Sequence, residues 1–106
     1  MLKQPLNGWL EEAKARFGDK TADWKFVCPR CGNVQTPQDF VTAGVRVEEA
    51  ANIAYQQCIG RVAVDKGCNW TAYGLLGTLG NGRIVITTDG KEVDVFDFAK
   101  EEHVNA

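Results

Sequence analysis

A small α+β fold is what this chain's residue pattern predicts. Three observations point there: an apolar stripe at helical spacing near the start, a strand-turn-strand signal near the end, and four cysteines distributed between them. At 106 residues the expectation is one domain, 1–106, large enough for a modest apolar core and small enough to gain from a covalent or metal staple. A hydrophobic content of 44% and a charged content of 25% are ordinary for globular chains, so neither a disordered nor a fibrous class fits.

The first element, within 1–18, is a helix. Trp9, Leu10, Ala13 and Phe17 fall on one stripe between Asn7 and Phe17, while Glu11, Glu12, Lys14 and Arg16 turn away. Asn7 is placed to cap its start and Gly18 to close its end. Asp19 to Asp23 then reads as a loop, and Trp24, Phe26 and Cys28 share a face at period two, which predicts a short strand. Thr36-Pro37-Gln38-Asp39 is a compact helix-start signal: a hydroxyl cap, proline at the first helical position and an acid three residues past the cap. Phe40 and Val41 give that helix its apolar contacts and Gly44 stops it.

A further helix is expected from Val47 to about Gln57. Its narrow face is Val47, Ala50, Ala51 and Ala54, and one more turn reaches Cys58, so this cysteine should arrive at a helix end. Ile59 to Asp65 reads as a strand or loop, and Trp70 to Tyr73 has strand character, completing a lobe over 24–73. Gly74, Gly77, Gly80 and Gly82 punctuate the next stretch. No Gly-Lys-Ser/Thr follows them and the G-x-G-x-x-G order is absent, so turns are expected rather than a phosphate cradle. Ile84 to Ile86 and Val93 to Val95 flank Asp89-Gly90, which predicts a β-hairpin over 83–98. The apolar phase shifts between Val95 and Phe96, as a β-bulge or a strand end would require. From Ala99 the segment 99–106 is short and polar enough to fray, and His103 within it reads as a solvated surface residue.

Cys28-Pro29-Arg30-Cys31-Gly32, answered by Cys58 and Cys68, carries the chemistry. Two thiolates separated by two residues can bite one tetrahedral metal, and four cysteines are what one closed zinc site consumes. Nine residues separate Cys58 from Cys68, so the second half is not another C-x-x-C and must converge through tertiary structure. The expected architecture is therefore zinc-ribbon-like: an N-terminal helix, two helices between the ligand pairs and a C-terminal hairpin, with one structural Zn.

The competing chemistries fit less well. No apolar run approaches the roughly 20 residues of a membrane span, and Met1 to Pro5 lacks the apolar core of a secretory signal, so a cytoplasmic location is expected. In that compartment thiols stay reduced, which favours metal ligation over two disulfides. A glutaredoxin-like thiol redox enzyme shares the C-P-x-C order, but it needs its first cysteine at a helix N-terminus, and Gly32-Asn33 starts a helix poorly. A zinc deaminase would pair H-x-E with P-C-x-x-C, and neither order occurs. No pair of carboxylates is placed face to face, so no catalytic residue and no small-molecule substrate are inferred.

The net charge is −2, and four thiolates around a divalent cation would add about −2 more. Nucleic acid is thus a secondary expectation as a partner. Arg30, Arg61 and Lys66 lie close in sequence to the cysteines, where they could contact a phosphate or a partner, or could offset the charge of the thiolates. The balance is basic between Lys25 and Arg83 and acidic from Asp89 onward. Trp24, Trp70 and Tyr73 could stack bases, although aromatic residues on strands beside a metal are more often core.

Several of these motifs, taken in order, resemble a family of small, uncharacterised phage- and prophage-encoded proteins. They are W-x-F-x-C-P-x-C-G (Trp24 to Gly32), T-P-x-D-F (Thr36 to Phe40), the alanine-rich stretch ending in C-I-G-R (Glu49 to Arg61) and G-C-x-W (Gly67 to Trp70), with a late D-G-K turn. The resemblance implies that Cys28, Cys31, Cys58 and Cys68 are metal ligands and that the protein acts in the cytoplasm of an infected bacterial cell. Nothing functional is implied for Gly74 to Gly82. The expected function is a non-enzymatic protein-interaction module that binds a host or phage protein, such as an inhibitor of a host defence system of the anti-CRISPR kind. The alternative is a zinc-ribbon nucleic-acid-binding protein in phage transcription or DNA processing, followed by the redox enzyme.

Overall fold

In a computed structural model that describes residues 2–74 and 77–100, the chain forms three helices and one five-stranded sheet. Its elements are β1 (Lys3–Pro5), α1 (Leu6–Phe17), β2 (Phe26–Val27), β3 (Val34–Gln35), α2 (Pro37–Thr42), α3 (Val47–Ile53), β4 (Gly82–Ile86) and β5 (Glu92–Phe98). Short 3-10 turns at Thr21–Asp23 and Ile59–Arg61 fill two of the connections. The strand order is β1-β4-β5-β2-β3, with β1 parallel to β4 and every other neighbour antiparallel. No described helix is long and apolar enough to cross a membrane.

The N-terminal helix begins two residues earlier than a cap at Asn7 would place it, and Asn7 does not cap it. Lys3 to Pro5 are held in the sheet, paired with Ile84 to Ile86, and Pro5 keeps the extended backbone that hands the chain directly into α1. The cap position therefore falls on a proline without a capping side chain. Gly18 closes the helix with φ 94° and donates its N–H to the Lys14 carbonyl, as its lack of a Cβ permits.

The helix-start signal at Thr36 forms in full. Thr36 Oγ1 accepts from the Asp39 N–H, the Asp39 carboxylate accepts from the Thr36 N–H, and Pro37 takes the first helical position. Helix α3 is shorter than its pattern suggests, ending at Ile53. Val47 is exposed, whereas Ala50 and Ala54 are buried, so only part of the alanine face packs. Beyond Ile53 the backbone turns, because Gln56, Gln57 and Tyr55 find partners in the sheet and in the cysteine region instead of in a longer helix. The Phe96 N–H donates to the Tyr55 carbonyl and Gln56 Nε2 to the Asp94 carbonyl.

The hairpin matches its signal: β4 and β5 pair in one register from Ile86↔Glu92 to Gly82↔Phe96, and Gly90 adopts φ 85° in the turn. The phase shift expected at Val95 lies slightly later. Phe96 and Ala99 both donate their N–H groups away from β4, to Tyr55 and Lys25, and these residues are three apart rather than an even number. That irregularity lets Val95 and Phe98 both be buried and brings the Arg83 guanidinium 4.8 Å from the centre of the Phe98 ring. Ala99 is itself buried and bonded to Lys25, so fraying does not start there; His103 lies outside the described residues.

The core gathers around Trp9. Its ring stacks on Phe98 at 5.8 Å and on Phe26 at 6.2 Å, and meets Tyr55 at 5.3 Å and Trp24 at 6.4 Å edge-on. Trp24, Phe26 and Cys28 share the buried face expected of them, though the regular strand there is only Phe26–Val27. Arg83 is also buried, donating to Glu12, Gln4 and Asp97. This ties α1 to both β4 and β5.

Candidate metal centre

Cys28 follows β2 directly, and a tight turn returns the chain to β3. The Gly32 N–H donates to the Cys28 carbonyl at 3.0 Å, and the Cys28 N–H donates to the Asn33 carbonyl at 3.0 Å. Gly32 holds φ 77°, a left-handed conformation that L side chains seldom adopt. The turn aims the amides of Arg30 and Cys31 at the Cys28 sulfur and that of Asn33 at the Cys31 sulfur. A sequence-local motif thus builds half of the site.

The other half is assembled across the fold. Helix α3 ends too early to deliver Cys58, which instead follows an isolated bridge between Gln57 and Thr71 and opens the 3-10 turn at Ile59–Arg61. Its N–H donates to the Trp70 carbonyl at 2.9 Å, and its sulfur accepts the Cys68 N–H at 3.0 Å. Two glycines permit this closeness. A Cβ on Gly60 would lie 2.3 Å from the Cys68 carbonyl oxygen, and one on Gly67 would lie 2.8 Å from the Cys58 sulfur.

One side chain missed by the sequence reading locks the two halves together. Gln35, fully buried on β3, donates through Nε2 to the Ala54 and Gln57 carbonyls at 2.7 and 2.6 Å, and its Oε1 accepts the Ile59 N–H at 2.8 Å. It grips the backbone on both sides of Cys58. Its only sequence signal is a polar residue immediately before the Thr36 cap, which by itself suggests a loop.

The four sulfurs lie within 4.8 Å of one another, with Cys28 to Cys68 at 3.7 Å and Cys31 to Cys58 at 3.6 Å. These separations are far too long for a disulfide, whose sulfurs sit about 2.05 Å apart. They match the edge of a tetrahedron with metal-to-sulfur bonds of about 2.3 Å, roughly 3.8 Å. The donor set therefore fits a metal ion, and four thiolates could hold one. The shared environment already separates the thiols: the hydrogen bond with Cys28, aided by amides of Gly60 and Cys68, pulls Cys58 down to about 4, while the same pairing pushes Cys28 up. Desolvation raises Cys31. Proton sharing of this kind marks a cluster that favours negative charge on sulfur when a cation is near.

The cations expected near the cysteines separate. Arg30 and Arg61 meet at Asn69, donating to its side-chain and backbone oxygens at 3.3 and 3.0 Å, and the Arg30 guanidinium lies 5.8 Å from the centre of the Trp70 ring. Lys66 is exposed farther along the loop that links Cys58 to Cys68, together with Val62 and Val64. Trp24 belongs to the core. Trp70 is half-buried with its indole N–H on the Gly77 carbonyl, and Tyr73 is exposed. The strand character expected of Trp70 to Tyr73 reduces to the single bridge at Thr71. Within the glycine-rich stretch, Gly77, Leu79 and Gly80 take positive φ in successive turns, while Leu75 and Leu76 fall outside the described residues.

Residues 5–99 match the family described as VVA0879-like, and the chain belongs to that family. No curated protein and no solved structure matches it.

Proposed function

We propose that this member of the VVA0879-like family is a small zinc-stapled interaction protein without enzymatic activity of its own. The observation that carries the reading is the closed ligand set. Four cysteines of one chain supply all four corners of a tetrahedron, leaving no open position for water or substrate. Among the metals that tetrahedral sulfur suits, zinc is favoured because it brings no redox chemistry and commonly occupies such structural sites. When bound, it contributes folding free energy and neutralises the thiolates.

What the staple positions is surface. The segment between Cys58 and Cys68 is tied at both ends by ligands, and between them Val62 and the fully exposed Val64 face solvent. A valine held outward on a constrained loop suits docking against another protein, since little conformational entropy is left to lose on binding. The motif resemblance and the acidic net charge together support a phage protein acting in the host cytoplasm on a basic host surface, with a defence nuclease of the CRISPR kind as one such target. The second reading is nucleic-acid binding, favoured by Arg30 and Arg61 converging beside Trp70.

Native mass spectrometry is expected to find one zinc per chain. Pulldown from nuclease-treated host lysate should then retain a stoichiometric protein, and Val62→Asp with Val64→Asp should release it without loss of zinc. Recovery of nucleic acid instead, with affinity falling steeply with salt and on removal of Arg30 or Arg61, would replace the first reading by the second.

A further inference from the structure

The four sulfurs are not equally sheltered. Cys28 and Cys58 are buried and Cys68 is half-buried, but Cys31 is exposed. Two backbone N–H groups face the sulfur of each buried cysteine, Cys28 and Cys58, whereas Cys31 has that of Asn33. Each N–H draws electron density from a thiolate and occupies a direction from which an oxidant could approach. Cys31 is thus the most open nucleophile of the cluster, and the Cys58 sulfur stands 3.6 Å from it.

We infer that Cys31 is a peroxide-reactive modification site, and that its oxidation closes a disulfide with Cys58 and discharges the metal. The inference rests on the metal-site reading above. In the first step the Cys31 thiolate attacks hydrogen peroxide, forming a sulfenic acid and releasing hydroxide. In the second, the Cys58 thiolate attacks the Cys31 sulfur, the S–S bond forms and a second hydroxide leaves. Two thiolates lose two electrons, and peroxide gains them. A metal held by the cluster would keep its charge throughout and would be left with only Cys28 and Cys68 of its four ligands.

The consequence reaches the exposed loop. With the metal gone, Cys68 keeps only its N–H contact to the Cys58 sulfur while Cys58 stays anchored through the new disulfide, so the Val62 to Lys66 segment is held more loosely at one end. A peroxide burst, acting at the one exposed cysteine, would thereby alter the surface that the metal shapes.

The experiment uses zinc-loaded protein, with metal content fixed by native mass spectrometry before any oxidant is added. Peroxide is titrated while released zinc is read with a chromogenic chelator, and the first disulfide is mapped by non-reducing digestion. The expected result is one zinc released per peroxide consumed, a Cys31–Cys58 linkage, and recovery after thiol reductant and zinc. Cys31→His preserves a tetrahedral three-cysteine, one-histidine set and should slow release at least tenfold. Should that variant fail to load, the map of the wild-type protein decides alone. A first disulfide other than Cys31–Cys58, or oxidised cysteines with zinc still bound, would overturn the proposal while leaving the metal reading intact. Protein that holds no metal before oxidation would overturn both.

Discussion

Around Trp9, four aromatic rings close on one indole and bury against α1 and the sheet, whereas from Ala54 to Gly74 the chain runs through turns, one bridge and a 3-10 turn. Both regions are ordered, by different means. The aromatic region is held by apolar area removed from water, a non-directional force that tolerates some rearrangement. The cysteine region is held by directional contacts to few atoms: four sulfurs, the three hydrogen bonds of Gln35 and glycines that admit no Cβ. Such contacts specify position closely but fail abruptly when one is lost.

The comparison can be broken most severely at the metal. With a metal held by the four sulfurs as proposed, chelation or Cys58→Ser would put about 10 kcal/mol of metal-binding free energy at stake. The expected outcome is loss of hydrogen-exchange protection at Cys58 and Ala72, whose N–H groups bond to Trp70 and Gln56, while the amides of β4 and β5 stay protected longer. Simultaneous loss everywhere would show that the two regions form one cooperative unit. Next in size is Phe26→Ala, which empties a buried aromatic position and should cost about 3–5 kcal/mol in chemical denaturation. Metal content of that variant should match that of the wild type, because the four cysteines are placed by polar contacts.

Gln35→Ala strands three backbone groups beside Cys58 and should cost about 2–3 kcal/mol, with metal affinity falling in parallel. Gln35→Glu should not rescue it, since a carboxylate cannot donate to the Ala54 and Gln57 carbonyls. The smallest expected effect is a pH dependence in the aromatic region. Burial tends to raise the Glu12 carboxyl, but hydrogen bonding and charge from Arg83, with help from Gln4 and Arg16, hold it below its ordinary value of 4.5. A carboxyl lowered on folding contributes stability at neutral pH that is lost as the pH falls below the unfolded value and through the folded one. Acid titration followed by fluorescence should therefore show a flatter profile for Glu12→Gln than for the wild type. An identical slope would mean that the Arg83 cluster contributes nothing through this carboxyl.

The same division explains what could be read in advance. Thr36-Pro37-Gln38-Asp39 was legible because each of its interactions lies within four residues, and the hairpin because Asp89-Gly90 and the flanking apolar residues are adjacent in the chain. Cys28-x-x-Cys31 was legible for the same reason. Strand β1 left no signal, since Lys3-Gln4-Pro5 has no apolar alternation and becomes a strand only by pairing with β4. Gln35 and Arg83 read as ordinary polar residues, and their partners lie 14 to 79 positions away. The end of α3 was misjudged because its alanines keep helical spacing past Ile53, while Tyr55, Gln56 and Gln57 are claimed by distant carbonyls and amides.

By itself, then, the sequence determined the elements whose hydrogen bonds and apolar contacts close over a few residues, together with the identity of the four thiols. Tertiary structure decided that Cys58 and Cys68 meet Cys28 and Cys31 at metal-binding distance, and that Cys31 is the exposed residue of the four. Chain spacing fixes only which residues are neighbours along the backbone. Convergence over 27 to 40 positions depends on buried polar groups finding partners, and no local pattern encodes those partners.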